Sequence, residues 1–220
     1  MKKRRFIFGT YNTAANGWTL NPWTFPEPEY QAKFLEVPGG MPLDVSTILT
    51  DGEPSYGSRT LTVPMESSEG SRMERDARIR EMVNALDGRR VDIVFPDYPQ
   101  YYATGRVQVK KEYNDPAHCA VVVSAICDPW LYSKAERMYT LTAAAVKQVA
   151  ALTNGGHRVA IPELTVTGDN ADVLLEFGTV SVALGAGTTI LPDLALPRGD
   201  TLLTYSGTGK LQIKYREAVL

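Results

Sequence analysis

Apolar runs of four to ten residues, separated by Gly, Pro and Asp, recur along almost the whole chain, and only one stretch carries a helical repeat. That pattern restricts the chain to a mainly β fold, because helices need longer periodic stretches and few breaks. In the C-terminal part the runs fall at His157–Ile161, Leu164–Thr167, Val173–Phe177, Val180–Leu184, Thr188–Leu191, Thr201–Tyr205 and Leu211–Tyr215. Gly168-Asp169-Asn170, Gly185-Ala186-Gly187 and Ser206-Gly207-Thr208-Gly209 break them. Spacing of about 8–12 residues between such breaks predicts an antiparallel sandwich with a turn at each. Thr142–Leu152 fits either state, since Ala143–Ala151 suits a helix while its Thr and Val neighbours favour strand.

The N-terminal part reads as strands at Lys3–Tyr11, Tyr30–Val37, Leu43–Leu49, Ser58–Glu66, Val91–Phe95, Thr104–Tyr113 and His118–Cys127. Phe6 and Phe8 share one face of the first strand. A hairpin turn is expected at Asn114-Asp115-Pro116-Ala117. The exception is a helix opened by a capping box of Ser71 and Glu74. Ile79, Met82, Val83 and Leu86 fall at i, i+3, i+4 and i+7, and Gly88 follows as the C-terminal stop. Arg72, Arg75, Arg78 and Arg80 interleave with Glu74, Asp76 and Glu81 and are expected on a solvated outer face, with a subunit contact as the alternative.

Charged residues thin out beyond Arg137, which places a boundary near Ser133–Tyr139 and two domains at residues 1–133 and 134–220. The net charge is −2, and residues 1–133 hold 15 Lys and Arg against 17 Asp and Glu. A chain that grips nucleic acid without sequence preference shows a basic excess, which is absent. Met1-Lys2-Lys3-Arg4-Arg5 resembles the charged start of a secretory signal, but no apolar stretch of about 7–15 residues follows Phe8. No run approaches the roughly 18 residues that span a membrane. A soluble product of the cytosol is expected.

Tests for chemistry return nothing. Cys119 and Cys127, eight residues apart on one strand, would be separated by roughly 26 Å at about 3.3 Å per residue. A disulfide needs Cα atoms within about 7 Å, so both are expected as buried free thiols. His118 and His157 stand in different domains, without a nucleophile motif or zinc spacing. Ser206-Gly207-Thr208-Gly209-Lys210 resembles the end of a phosphate loop, but Thr204 and Leu211 occupy the positions where that motif needs Gly and Ser or Thr. Arg198-Gly199-Asp200 matches an adhesion tripeptide too short to carry weight. No carboxylate pair stands in a hydrolase motif, so a non-enzyme without cofactor or metal is expected, with no catalytic residue assigned. Trp18, Trp23, Trp130 and the loop Tyr98–Tyr102 could stack on sugar rings, which would make the chain a carbohydrate-binding module for host-surface attachment; the other reading of Trp18 and Trp23 is as anchors of the Pro-rich loop Trp18–Tyr30.

Asn154-Gly155-Gly156, Ile161–Gly168, Pro197–Thr201 and Gly209–Arg216 together resemble the distal tail protein family of long-tailed bacteriophages. The opening aromatic strand, single capped helix, late hairpin and Asp128-Pro129-Trp130 exit resemble that family's first domain. The resemblance implies a β-sandwich-like ring-forming (belt) domain followed by a galectin-like β-sandwich. It further implies a virion structural protein at the phage tail tip, assembled in the host cytoplasm. A homohexameric ring would join the tail tube protein to the baseplate or receptor-binding proteins, with DNA passing through its channel unbound and no membrane contact.

Overall fold

The computed structural model describes residues 4–46 and 54–220. The chain divides into two compact units, one ending at Leu131 and one spanning Tyr132–Val219, with Leu220 grouped with the first.

The first unit contains β1 (Ile7–Phe8), β2 (Tyr11–Asn12), β3 (Thr19–Leu20), β4 (Phe34–Leu35), β5 (Leu43–Asp44), β6 (Arg59–Ser67), α1 (Arg72–Leu86), β7 (Arg90–Val94), β8 (Tyr101–Asn114) and β9 (Cys119–Cys127). An antiparallel sheet runs in the order β2-β1-β7-β8-β9-β6-β3. β8 joins its two halves: residues 102–106 pair with β7, and residues 105–114 pair with β9. Where both partners meet, a Cβ on Gly105 would lie 2.6 Å from the Cys127 sulfur, so glycine lets the strands close.

Period-2 alternation sends Leu61, Val63, Met65, Val121, Val123 and Ala125 inward beside Phe6 and Phe8. Helix α1 closes this core with Ile79, Met82 and Leu86, each worth about 1.5–3 kcal/mol on burial. Its start is the expected reciprocal box: Ser71 N–H donates to the Glu74 carboxylate at 2.6 Å, and Glu74 N–H donates to Ser71 Oγ at 3.3 Å. Those bonds hold the Glu74 pKa below its ordinary value, the backbone donor of Ser71 contributing most. Asp87 caps the other end, and Gly88 follows at φ +71°.

Several expectations need correction here. The strand expected at Lys3–Tyr11 turns at Gly9 and splits into β1 and β2, while Lys3 lies outside the described residues. Tyr30–Val37 keeps only β4, and Leu43–Leu49 keeps β5, its later part lying outside the described residues. Arg75 is not solvated. It is 2% exposed and donates to the carbonyls of Gly70, Asp115 and Pro116, tying the helix to the β8–β9 hairpin. Alternating charge marks the exposed face only on average, and the i+3/i+4 geometry puts Arg75 beside Ile79 on the inner side.

The second unit contains β10 (Leu131–Ala143), β11 (Gln148–Asn154), β12 (Glu163–Phe177), β13 (Val180–Gly185), β14 (Gly187–Ile190) and β15 (Gly199–Val219). Residues 163–166 of β12 pair with β14 and residues 172–177 with β13. On its other side β12 pairs with β15 along its whole length, apart from a register shift between Thr167 and Asp172. β15 in turn pairs with β11 over residues 199–205 and with β10 further on. The breaks at 144–147, 168–171, 186 and 206–209 therefore lie side by side, as the Gly207 N–H to Ala144 carbonyl bond and the Gly168–Gly209 approach show.

The unit is thus one sheet of six strands bent along a glycine-rich corner that crosses β12 and β15. Leu164, Val166, Leu211 and Ile213 from one half share a common core with Val173, Leu175, Leu184 and Leu203 from the other. The Gly-rich breaks expected as turns at Gly168–Asn170 and Ser206–Gly209 are corners within β12 and β15, whereas Gly185-Ala186-Gly187 separates β13 from β14 as expected. A Cβ on Gly207 would collide with the Asp172 carbonyl, and one on Gly209 would sit 2.8 Å from the Thr167 carbonyl. Turns and strand corners demand the same positive φ, so composition does not separate them. Ala143–Ala151 is strand, break and strand rather than helix. His157–Ile161 is not a strand; only Ala160 bridges to Leu196.

Candidate assembly surface

Between the Pro-rich segment and β6, the paired strands β4 and β5 form a two-stranded arm separate from the main sheet. Leu35 opposes Leu43, and the Gly40 N–H to Val37 carbonyl bond closes a turn with Gly39 at φ +72°. Phe34, Leu35, Met41 and Leu43 are 62%, 57%, 88% and 53% exposed. A lone two-stranded hairpin is marginally stable in water, and uncovered apolar side chains of this size mark a contact surface.

The arm's root is held more firmly. Tyr30 bridges Tyr56, Gln31 N–H donates to the Ser55 carbonyl, and Gly57 N–H donates to the Glu29 carbonyl. Arg59, at the start of β6, lays its guanidinium 3.8 Å over the Phe25 ring. Burial pushes its pKa down, Glu27 acting in the opposite sense.

The aromatic residues singled out from the sequence are mostly structural. Trp18 is buried and donates its indole N–H to the Tyr11 hydroxyl at 2.9 Å. Trp23 packs against Phe6 and Phe95, with centroids at 5.3 and 5.8 Å. Trp130 meets Tyr56 edge-on at 5.5 Å. Tyr98 is exposed at the β7–β8 turn, while Tyr101 and Tyr102 are half-buried. These rings form no common platform.

His118 stands 3.3 Å from Asp115 and edge-on to Tyr113, while His157 is exposed in the other unit. Cys119 and Cys127 are free and buried, and burial pushes the Cys127 thiol up to about 12. Ser206–Lys210 lies inside β15. Gly199 and Asp200 open the same strand, where Asp200 accepts from Thr153 Oγ1 at 2.6 Å. Among the described residues no three His, Cys, Asp or Glu side chains could together hold a metal ion, and no helix is long and apolar enough to cross a membrane. Sequence reasoning missed the arm as a surface, although Phe34, Leu35 and Val37 beside Gly39-Gly40 carried the signal of an apolar hairpin.

The chain is similar to a solved structure, the Dit protein of phage SPP1, described as a paradigm of the hub adsorption apparatus in phages infecting Gram-positive bacteria. The match covers 98% of this chain and 99% of that one, with a TM-score of 0.67 and 17% identity. The fold is that of a distal tail protein. It is mainly β with a single helix among the described residues. A turret protein of Sulfolobus turreted icosahedral virus aligns at 9% identity with a TM-score of 0.25, too low to bear on the distal tail fold. No protein-family model and no curated protein matches the sequence.

Proposed function

We propose that this chain is a structural virion protein, a distal tail hub that joins the phage tail tube to the baseplate or host-recognition apparatus. The whole-length likeness to SPP1 Dit carries the reading, because it spans both units rather than one. A fold alone does not assign a function, so the exposed apolar arm is the second support. In a closed ring each copy meets its neighbour through two different surfaces, and a projecting arm supplies one of them.

In this reading six copies close around a channel at the tail tip, with no catalytic role and no cofactor. The absence of a basic excess suits a lumen through which DNA slides without being held. Assembly takes place in the host cytoplasm, and the partners are other tail proteins. Electron microscopy and mass photometry of the purified protein test this directly. Rings at micromolar concentration are expected, and a chain that stays monomeric at every concentration would overturn the proposal.

A further inference from the structure

Arg59 is buried, whereas the carboxylate it pairs with is exposed. Glu27, 3.9 Å away, has an exposed side chain and contributes little. The guanidinium instead reaches two backbone carbonyls from different segments. Its Nε donates to the Pro26 carbonyl at 2.7 Å, on the segment that feeds the arm, and a terminal nitrogen donates to the Pro129 carbonyl at 3.4 Å, on the segment leaving β9.

Burying a guanidinium is costly, so its hydrogen bonds largely offset desolvation rather than adding much net stability. What the planar fork supplies is geometry, since it can fix two carbonyls at a set angle while its face rests on Phe25. Tyr56 makes a parallel link, meeting Tyr30 at 6.1 Å and Trp130 at 5.5 Å. Two independent contacts thus tie the arm's root to the exit from the first unit.

We propose that Arg59 is a positioning residue that sets the path of the arm by clamping its root to the exit segment at Pro129. The consequence for ring formation rests on the hub reading above; the clamp itself does not. The test is hydrogen exchange on full-length Arg59→Met. The Gln31 and Gly57 amides should exchange at least tenfold faster while those of Leu61 and Val63 keep their protection, and the ring fraction should fall. Arg59→Lys keeps the charge but cannot span both carbonyls, so it should give the same local loss, including where Arg59→Met does not fold. Unchanged exchange at Gln31 and Gly57 in the folded variants would overturn the proposal. So would loss of protection throughout β6 and β9 in both variants, which would make Arg59 a general stabiliser. Faster root exchange together with a wild type that forms no rings would support the clamp and count against the hub reading alone.

Discussion

Replacing Phe34 and Leu35 together by Ser should weaken ring contacts without touching the stability of the isolated chain. The two side chains are 62% and 57% exposed, so the fold gains little from them. Burying a whole side chain of this kind is worth about 1.5–3 kcal/mol. Covering the exposed part against a neighbouring copy is then worth about 1–2 kcal/mol each, or about 2–4 kcal/mol per subunit contact. At 1.4 kcal/mol per tenfold, each contact weakens by about 30- to 700-fold, toward the lower figure because ordering costs absorb part of the gain. A dilution series by mass photometry reads the midpoint of ring dissociation, and calorimetry on the same samples reads unfolding. A midpoint within threefold of wild type would refute the assignment of the arm as an assembly surface. A fall of several degrees in the unfolding temperature would refute the premise that these side chains are uncovered in the single chain.

Three further outcomes follow from the packing. Gly207→Ala should cost about 3–5 kcal/mol, adding a positive-φ penalty to a backbone collision, and in calorimetry it should lower the transition of the second unit alone. Arg75→Met should cost about 3–5 kcal/mol in denaturant unfolding, because three carbonyls lose a charged donor; a change below about 0.5 kcal/mol would show that the latch is dispensable. Glu74 has a folded pKa below its unfolded one, so its contribution is full above the ordinary carboxylate range and is lost as pH falls through the depressed value. Unfolding of Glu74→Gln, followed by circular dichroism, should therefore vary less between pH 5 and pH 3 than wild type.

Local chemistry made much of the fold legible. The capping box of Ser71 and Glu74, the Ile79–Leu86 stripe and the strands at Ser58–Glu66 and His118–Cys127 depend on neighbours within one element or on period-2 burial, and all are found close to their expected bounds. The surface was less legible. Arg75 and Arg78 stand in the same alternating charge pattern, yet one is buried against a hairpin some forty positions away and the other bonds Ser67. Phe34 and Leu35 read as an ordinary strand because alternation cannot show whether a core lies on the other side.

By itself the sequence determined the mainly β class, the capped helix, the buried free thiols and the shared face of Phe6 and Phe8, because these follow from φ preference, capping and alternation along the chain. Only the tertiary structure decided that Gly168, Gly207 and Gly209 are corners within long strands of one folded sheet rather than turns between short strands. It alone placed Arg59 between two proline carbonyls and left the arm uncovered. Those outcomes depend on which distant segments meet, and a positive φ or a charged side chain carries no record of its partner.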